Sequence, residues 1–421
     1  MKTRTITQTV PVLVLATGIG HRLTLVSLFT LLFTFHTPLN AASPDWEIKT
    51  LTVDGNEGID IADFNNDGKL DVIAGRNWYP APDFVAHPVR TIEDWNGYVQ
   101  SNCDFAHDVN GDGFMDVISF SFLPTEAHWY ENPGIDALKL GKMWPKHLLQ
   151  DTENSRNEGV LMHDLDGDGI AELVVNSFGK KQPLLAWKFS TEERNVQEKK
   201  GKKFITVRKE VPALQKIMIG TDDNGHGLGF GDINGDGRED LLFEAGWYER
   251  PASNAMTTPW KYHDDWFIHG SVPMLCRDMN KDGKMDILVG HGHDYGLHWW
   301  EQLEPKDGKT QWKEHLIDDS FSQPHALHWA DLDGDGKDEL ITGKRFHAHN
   351  GRDPGGQDQP CIYYYTWNPK QLKFTRHIID EGSVGIGLQI RTADINDDGK
   401  LDIAVAGKSG TYILFNTGRN R

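Results

Sequence analysis

Short apolar runs alternate with short polar, glycine-bearing loops along most of the chain. Val72-Ile73-Ala74, Leu173-Val174-Val175, Leu241-Leu242-Phe243 and Ile287-Leu288-Val289 are aliphatic and β-branched, are bounded by Gly-containing loops, and read as buried strands. An aromatic strand follows in the same period: Trp78-Tyr79, 128–133, Ala186-Trp187, 246–249, 298–301, 363–367 and 412–415. A fourth segment of strand character recurs at 144–149, 204–207, 260–263, 312–317 and 374–379, and more weakly at 84–92. The seventh such segment, 46–51, precedes the first repeat, and the last repeat ends at Phe415-Asn416 without its own. The N-terminal strand is therefore expected to complete the C-terminal unit. That closes a ring and removes exposed sheet edges.

Between the first two strands of every unit lies D-x-[DN]-x-D-G-x-x-[DE]. It occurs seven times, at steps of 45, 56, 68, 46, 53 and 63 residues. A period of roughly 40–70 residues marks a propeller or solenoid. With four strands per unit, the fold class is all-β: a seven-bladed β-propeller with four-stranded blades over residues 46–421 as a single domain. The loops also carry chemistry. Calcium takes six to eight oxygen ligands, which alternate Asp/Asn side chains supply from a tight turn, and Gly permits the bend. The ligand positions are Asp63, Asn65, Asp67 and Asp71; Asp108, Asn110, Asp112 and Asp116; Asp164, Asp166, Asp168 and Glu172; and Asp232, Asn234, Asp236 and Asp240. Asp278, Asn280, Asp282 and Asp286, then Asp331, Asp333, Asp335 and Glu339, and finally Asp394, Asn396, Asp398 and Asp402 complete the set. Up to seven structural Ca²⁺ ions are expected.

This reading changes the meaning of the charge. The chain has 62 Asp+Glu against 43 Lys+Arg, a net charge of -19, which by itself argues against nucleic acid and anionic membranes as partners. At 23 of the loop positions the residue is an acid, so seven Ca²⁺ would bring the formal charge to about -5. The case against nucleic acid then rests on the absence of a basic stripe on the repeat. Three cysteines, Cys103, Cys276 and Cys361, do not make a disulfide framework.

At the N-terminus, Lys2, Arg4 and Arg22 precede an apolar run at 23–35 and the small residues Ala41-Ala42-Ser43. Residues 1–42 read as a signal peptide cleaved near Ala42, so the protein is expected to be exported, with no transmembrane domain after processing. A second apolar stretch at 10–19 makes retention as an anchor the alternative.

These motifs resemble the FG-GAP/VCBS repeat family, seen also in the integrin α N-terminal propeller, over essentially all of 46–421. The resemblance implies the propeller and its calcium loops, and leaves function open because this fold hosts both enzymes and binding modules. Segments 57–63 (EGIDIAD), 226–229 (HGLG) and 246–249 (GWYE) further resemble the propeller domain of aldos-2-ulose dehydratase. That family dehydrates keto-sugars, depends on metal, and carries cupin domains after its propeller. The present sequence has no counterpart to the cupins, which confines the expectation to the dehydration step.

Candidate site residues follow from register. The strand before each loop would be innermost, so its start lies at the face opposite the loops. Six positions upstream of each first Asp stand Glu57, Asn102, Glu158, His226, Val272, His325 and Leu388, and Arg76, Lys344 and Arg345 are among the residues at the returning ends of the next strands. The catalytic candidates are His226, His325, Glu57, Glu158, Arg76 and Lys344. In one reading His226, His325 and either Glu57 or Glu158 bind Zn²⁺ or another divalent metal. In the other they act as general acid and base beside Arg76, Lys344 and Arg345, which would bind a uronate carboxylate or stabilise an enolate.

The expected function is a carbohydrate-active carbon–oxygen lyase of sugar-dehydratase type. The alternatives are a non-catalytic propeller that binds glycan or protein partners, and a glycosidase using Glu57 and Glu158. The blander readings fall elsewhere. His147, His315 and His377 repeat with the fold and read as structural, and His107 and His163 as loop supports. The pairs His291/His293 and His347/His349 read as exposed loop pairs, solvent-facing or weakly metal-binding rather than catalytic. The Trp-Tyr strands read as core between blades, apart from a few aromatics able to stack on sugar at the rim.

Overall fold

The computed structural model describes residues 44–178, 182–221 and 225–418. The segment 1–42, expected to be a signal peptide, lies outside these residues. Among the described residues no helix is long and apolar enough to cross a membrane.

The strands form seven four-stranded antiparallel units. Their inner strands are Ile59–Ala62, Cys103–His107, Gly159–His163, Gly229–Gly231, Met274–Arg277, Leu327–Ala330 and Ile390–Ala393, here blades 1 to 7. Each is followed, across its acidic loop, by a short second strand that is buried from end to end, such as Asp71–Ala74 or Glu339–Gly343. This explains the continuous apolar runs: both faces of these strands meet neighbouring blades, so period-two alternation has no place in them. Blades 4 and 5 join into one eight-stranded sheet through parallel pairing of Gly229 with Met274. The ring closes as expected. Trp46–Thr52 pairs antiparallel with Gly410–Asn416, from Trp46↔Asn416 to Thr52↔Thr411.

Buried apolar residues fall into seven clusters, each drawing on two adjacent blades, including one that joins blade 7 to blade 1 through Ile413, Ala404, Ile59 and Tyr79. A recurring brace seals the outer edge. The fourth-strand His147, His263 and His315 stack on Trp129, Trp247 and Trp299, with centroids 4.0–4.6 Å apart. Each also reaches a third-strand carboxylate, Glu131, Glu249 or Glu301, at 2.7–2.8 Å.

One strand expectation is displaced. In blade 3 the third and fourth strands run Leu184–Lys200 and Lys203–Gly220, an extended hairpin. The part built into the blade is near Leu214, Ile217 and Ile219, which are buried; Phe204, in the expected fourth strand, is 69% exposed near the hairpin's far end. Aromatic and β-branched residues occur at both ends of this hairpin, and only burial separates them. Arg194 ties the hairpin to blade 2, donating to the carbonyls of Leu148 and Leu149 at 2.6 and 2.8 Å.

Candidate functional site

The acidic loops fold themselves. In blade 1, Asp63 accepts the backbone N–H groups of Asp67 and Gly68 at 3.1 and 2.8 Å, and Asn65 accepts Asp67 N–H at 2.9 Å. The motif glycine has φ between 82° and 88° in all seven loops, and a Cβ there would meet nothing within 4 Å. Gly is required for its left-handed conformation rather than for space.

The ninth-position acids are buried, and each accepts the N–H of the residue after the first Asp at 2.8–3.2 Å. In the five loops that end in Asp, the other oxygen accepts a second N–H near the end of the third strand, from Ala81, Asn132, Arg250, Gln302 or Asn416. Burial raises these carboxyls, Asp71 to about 6 and Asp116 to about 7. Blades 3 and 6 differ in two linked ways: the third position is Asp and the ninth is Glu. Their donors Asp164, Asp166 and Glu172, and Asp331, Asp333 and Glu339, lie within 4.8 Å of one another.

At the opposite end of the inner strands, three imidazoles meet. His226 Nε2 lies 3.2 Å from both His293 Nε2 and His325 Nε2. His226 Nδ1 is 2.6 Å from the Gly270 carbonyl and His293 Nδ1 is 3.1 Å from Asp353 Oδ2. Neither oxygen can donate, so both Nδ1 atoms carry the proton and both Nε2 lone pairs are free. His325 is buried, with no hydrogen-bond partner at Nδ1. Burial pushes His226 and His325 well below the ordinary imidazole range and lowers His293, so the cluster is neutral. A side chain at Gly292 would sit 2.8 Å from His325 Cδ2 and 3.3 Å from His226 Cε1. Three neutral imidazoles with free or unpartnered nitrogens, two of them oriented by a carbonyl and a carboxylate, fit a zinc-class ion.

Beside them lies a buried ion network. Arg345 grips Glu57 with two bonds, Nε–Oε1 2.6 Å and Nη2–Oε2 2.9 Å, and its Nη1 closes against Glu158 Oε1 as an ion pair outside hydrogen-bond geometry. Lys408 Nζ is 3.5 Å from Glu57, and Glu158 Oε1 is 3.6 Å from His325 Nε2. Burial alone would raise the Glu57 carboxyl; the charges of Arg345 and Lys408 outweigh it and hold it at about 2. Glu57, Glu158, Arg345 and Lys408 line a pocket with Trp95, Tyr98, Asn102 and His349. Trp95 and Tyr98 sit on a two-stranded hairpin, Asp94–Trp95 with Tyr98–Val99, whose central Asn96 and Gly97 have φ of 53° and 86°. That is the turn favoured by Asn-Gly. The Lys408 ammonium lies 4.2 Å from the Tyr98 ring centroid.

The structure thus brings Glu57, Glu158, His226 and His325 together. Arg76 and Lys344 stand elsewhere. Arg76 binds Asp54 at 2.6 Å, Asp94, and the Ile92 carbonyl, so it anchors the foot of the Trp95–Tyr98 hairpin. Lys344 is fully buried and donates to Ser322 Oγ at 2.6 Å, Gln323 Oε1 at 3.0 Å and the Gly355 carbonyl, which fixes the loop carrying Asp353. His349 faces solvent as expected, whereas His293 is largely covered; the two stack 4.5 Å apart and share Asp353 through their Nδ1 atoms. His347, His349 and Asn350 hold φ of 55°, 47° and 59°, and such strain is concentrated at functional loops. The sequence signals for the residues missed were the His-Gly-His at the end of a second strand and the Asn-Gly flanked by Trp and Tyr.

FG-GAP-like repeats are matched at residues 108–175 and 278–342, which include four of the seven acidic loops. The chain carries FG-GAP-like repeats. No curated protein matches it. Among solved structures it is similar to BBS1N from a complex with ARL6DN, at 11% identity and TM-score 0.46, covering 89% of this chain and 98% of that one. It is similar also to the extracellular domain of the putative hybrid two-component system BT3049 of B. thetaiotaomicron, at 10% identity and TM-score 0.43, covering 89% of this chain and 42% of that one. The V. cholerae biofilm matrix protein Bap1 follows, at 13% identity and TM-score 0.26, covering 86% and 69%.

Proposed function

We propose that this chain is an exported, calcium-stabilised propeller enzyme: a carbon–oxygen lyase of sugar-dehydratase type that acts on a keto-sugar or uronate. In this reading His226, His293 and His325 hold a zinc-class ion in the funnel, and the acidic loops hold Ca²⁺. The observation that carries it is the convergence of three neutral imidazoles beside a buried Arg–carboxylate network. The substrate class rests on the likeness of 57–63, 226–229 and 246–249 to aldos-2-ulose dehydratase, and export on the pattern of residues 1–42.

When bound, the metal supplies Lewis acidity to a substrate carbonyl. The protein's own groups divide the remaining work. Glu57, held ionised, fixes Arg345, whose guanidinium stabilises negative charge developing on the substrate. Glu158, set between Arg345 and His325, accepts the proton α to the carbonyl. His349, at the pocket edge, donates a proton to the leaving hydroxyl, which departs as water. Trp95 and Tyr98 offer aromatic faces to the sugar ring.

The test combines metal analysis with a screen of keto-sugars and uronates for a new ultraviolet chromophore. A zinc-class ion in the purified protein and turnover lost in the His226→Ala/His325→Ala double variant are expected. Undiminished turnover in the folded double variant would overturn the site. A metal-loaded protein inert on every such substrate would put a non-catalytic binding propeller in its place.

A further inference from the structure

Blade 5 carries a second set of nitrogen and oxygen donors that the funnel chemistry does not use. His291 follows the second strand, His298 lies on the third and Glu314 on the fourth, so three adjacent strands of one sheet set them side by side. Their donor atoms all fall within 4.8 Å of one another. His291 Nδ1 is 3.0 Å from the Tyr295 carbonyl, which can only accept, so Nδ1 is protonated and Nε2 keeps its lone pair. His298 Nδ1 is 2.9 Å from Glu314 Oε1, yet it is buried and makes no hydrogen bond, because the angles are wrong for one. A nitrogen and a carboxylate oxygen this close, without a shared hydrogen bond, suit a common cation.

The backbone makes room for the pair. The two rings stack 4.3 Å apart, and a Cβ at Gly296 would fall 2.2 Å from His298 Nε2 and 3.2 Å from His291 Nδ1. Gly296 also has φ of 123°. Only glycine lets both imidazoles close over this turn.

We propose that His291, His298 and Glu314 form a second divalent-metal site of the zinc class, with two imidazoles, one carboxylate and the remaining coordination open to water on the half-exposed Glu314 side. It is distinct from the funnel centre and shares no ligand with it. His269 stands between the two, its ring 5.9 Å from His226 and 5.7 Å from His291.

The experiment is a Co²⁺ titration of the calcium-saturated full chain, followed by visible absorption, with Zn²⁺ displacement to confirm each site. Besides any Co²⁺ taken up at the funnel, wild type is expected to bind one Co²⁺ that is lost in His291→Ala and in Glu314→Gln. The conservative Gly296→Ala should lose it as well while leaving circular dichroism unchanged. The His226→Ala/His325→Ala variant should keep it, so a failure of the funnel reading registers separately. Co²⁺ uptake unchanged by His291→Ala and by Glu314→Gln, in folded protein, would overturn the proposal.

Discussion

The two ends of the inner strands present opposite donor chemistries. At one end, seven loops repeat a single design of exposed carboxylates and Asn side chains organised by backbone N–H groups and glycine. At the other, buried imidazoles and a guanidinium meet once, contributed by different blades. Oxygen donors suit hard Ca²⁺ and imidazoles suit zinc-class ions, so in the proposed reading one ring would sort two kinds of cation without a shared ligand. The loop end also carries architecture, since each ninth-position acid fastens its loop to the blade. Some funnel residues, His293, His349 and Asp353 among them, hang on loops that the seven-fold pattern does not constrain.

Removing calcium should produce the largest effect. Ions bound only by folded loops stabilise by mass action, each by about 2.7 kcal/mol at a hundredfold excess over its dissociation constant. Several such sites acting together predict a melting temperature more than ~10 °C lower in excess EGTA, while a funnel-bound zinc-class ion, tracked by metal analysis, remains. A melting temperature unchanged after confirmed calcium loss would erase the distinction between a structural and a chemical end.

What could be read from the sequence divides along the same line. Each repeat must fold its own loop, so Asp63, Asp67, Gly68 and Asp71 announce one blade and their recurrence announces seven; pairing of Trp46 with Asn416 follows from the missing last strand. His226 and His325 were legible because they share one register before two inner strands. The meeting of His293 with Asp353 was not, because it depends on the 344–358 loop that Lys344 holds in place. Lys344 and Arg76 show the converse error: a cation near the expected face served to pin a loop or a hairpin.

The buried pair at the funnel gives a smaller, pH-dependent effect. Glu57 has an ordinary value of 4.5 and is held at about 2 in the folded chain. The unfolded chain therefore binds more protons between these values, and stability rises with pH across that window. The contribution, on the order of 3 kcal/mol, is complete above pH 4.5 and is lost as pH falls towards 2. Denaturant melts of Glu57→Gln should show reduced stability at pH 7 and a shallower loss between pH 4.5 and 2 than wild type. An identical acid slope in the variant would assign that loss to other carboxylates.

The finest test lies within the loop end itself, between blades 3 and 6, which alone share Asp at the third position and Glu at the ninth. Register places Trp187 opposite Leu173 and Tyr365 opposite Leu340, so the next residues, Lys188 and Thr366, face the two glutamates. Thr366 pairs with His377. Lys188 instead reaches into its loop, with Nζ on Asp166, 2.6 Å from Asp168 and 3.5 Å from Glu172 Oε1, and these contacts raise its ammonium above the ordinary lysine value. An ammonium among three carboxylates occupies the place of a metal ion and repels one, so blade 3 is expected to be satisfied by the chain's own cation while blade 6 takes Ca²⁺. Equilibrium dialysis should then find one calcium more per chain in Lys188→Met than in wild type, with a gain in melting temperature of at most a few degrees. The matching substitution Thr366→Lys should remove one calcium from blade 6. If Lys188→Met leaves the stoichiometry unchanged, the lysine is a surface partner of the loop and the two blades bind alike.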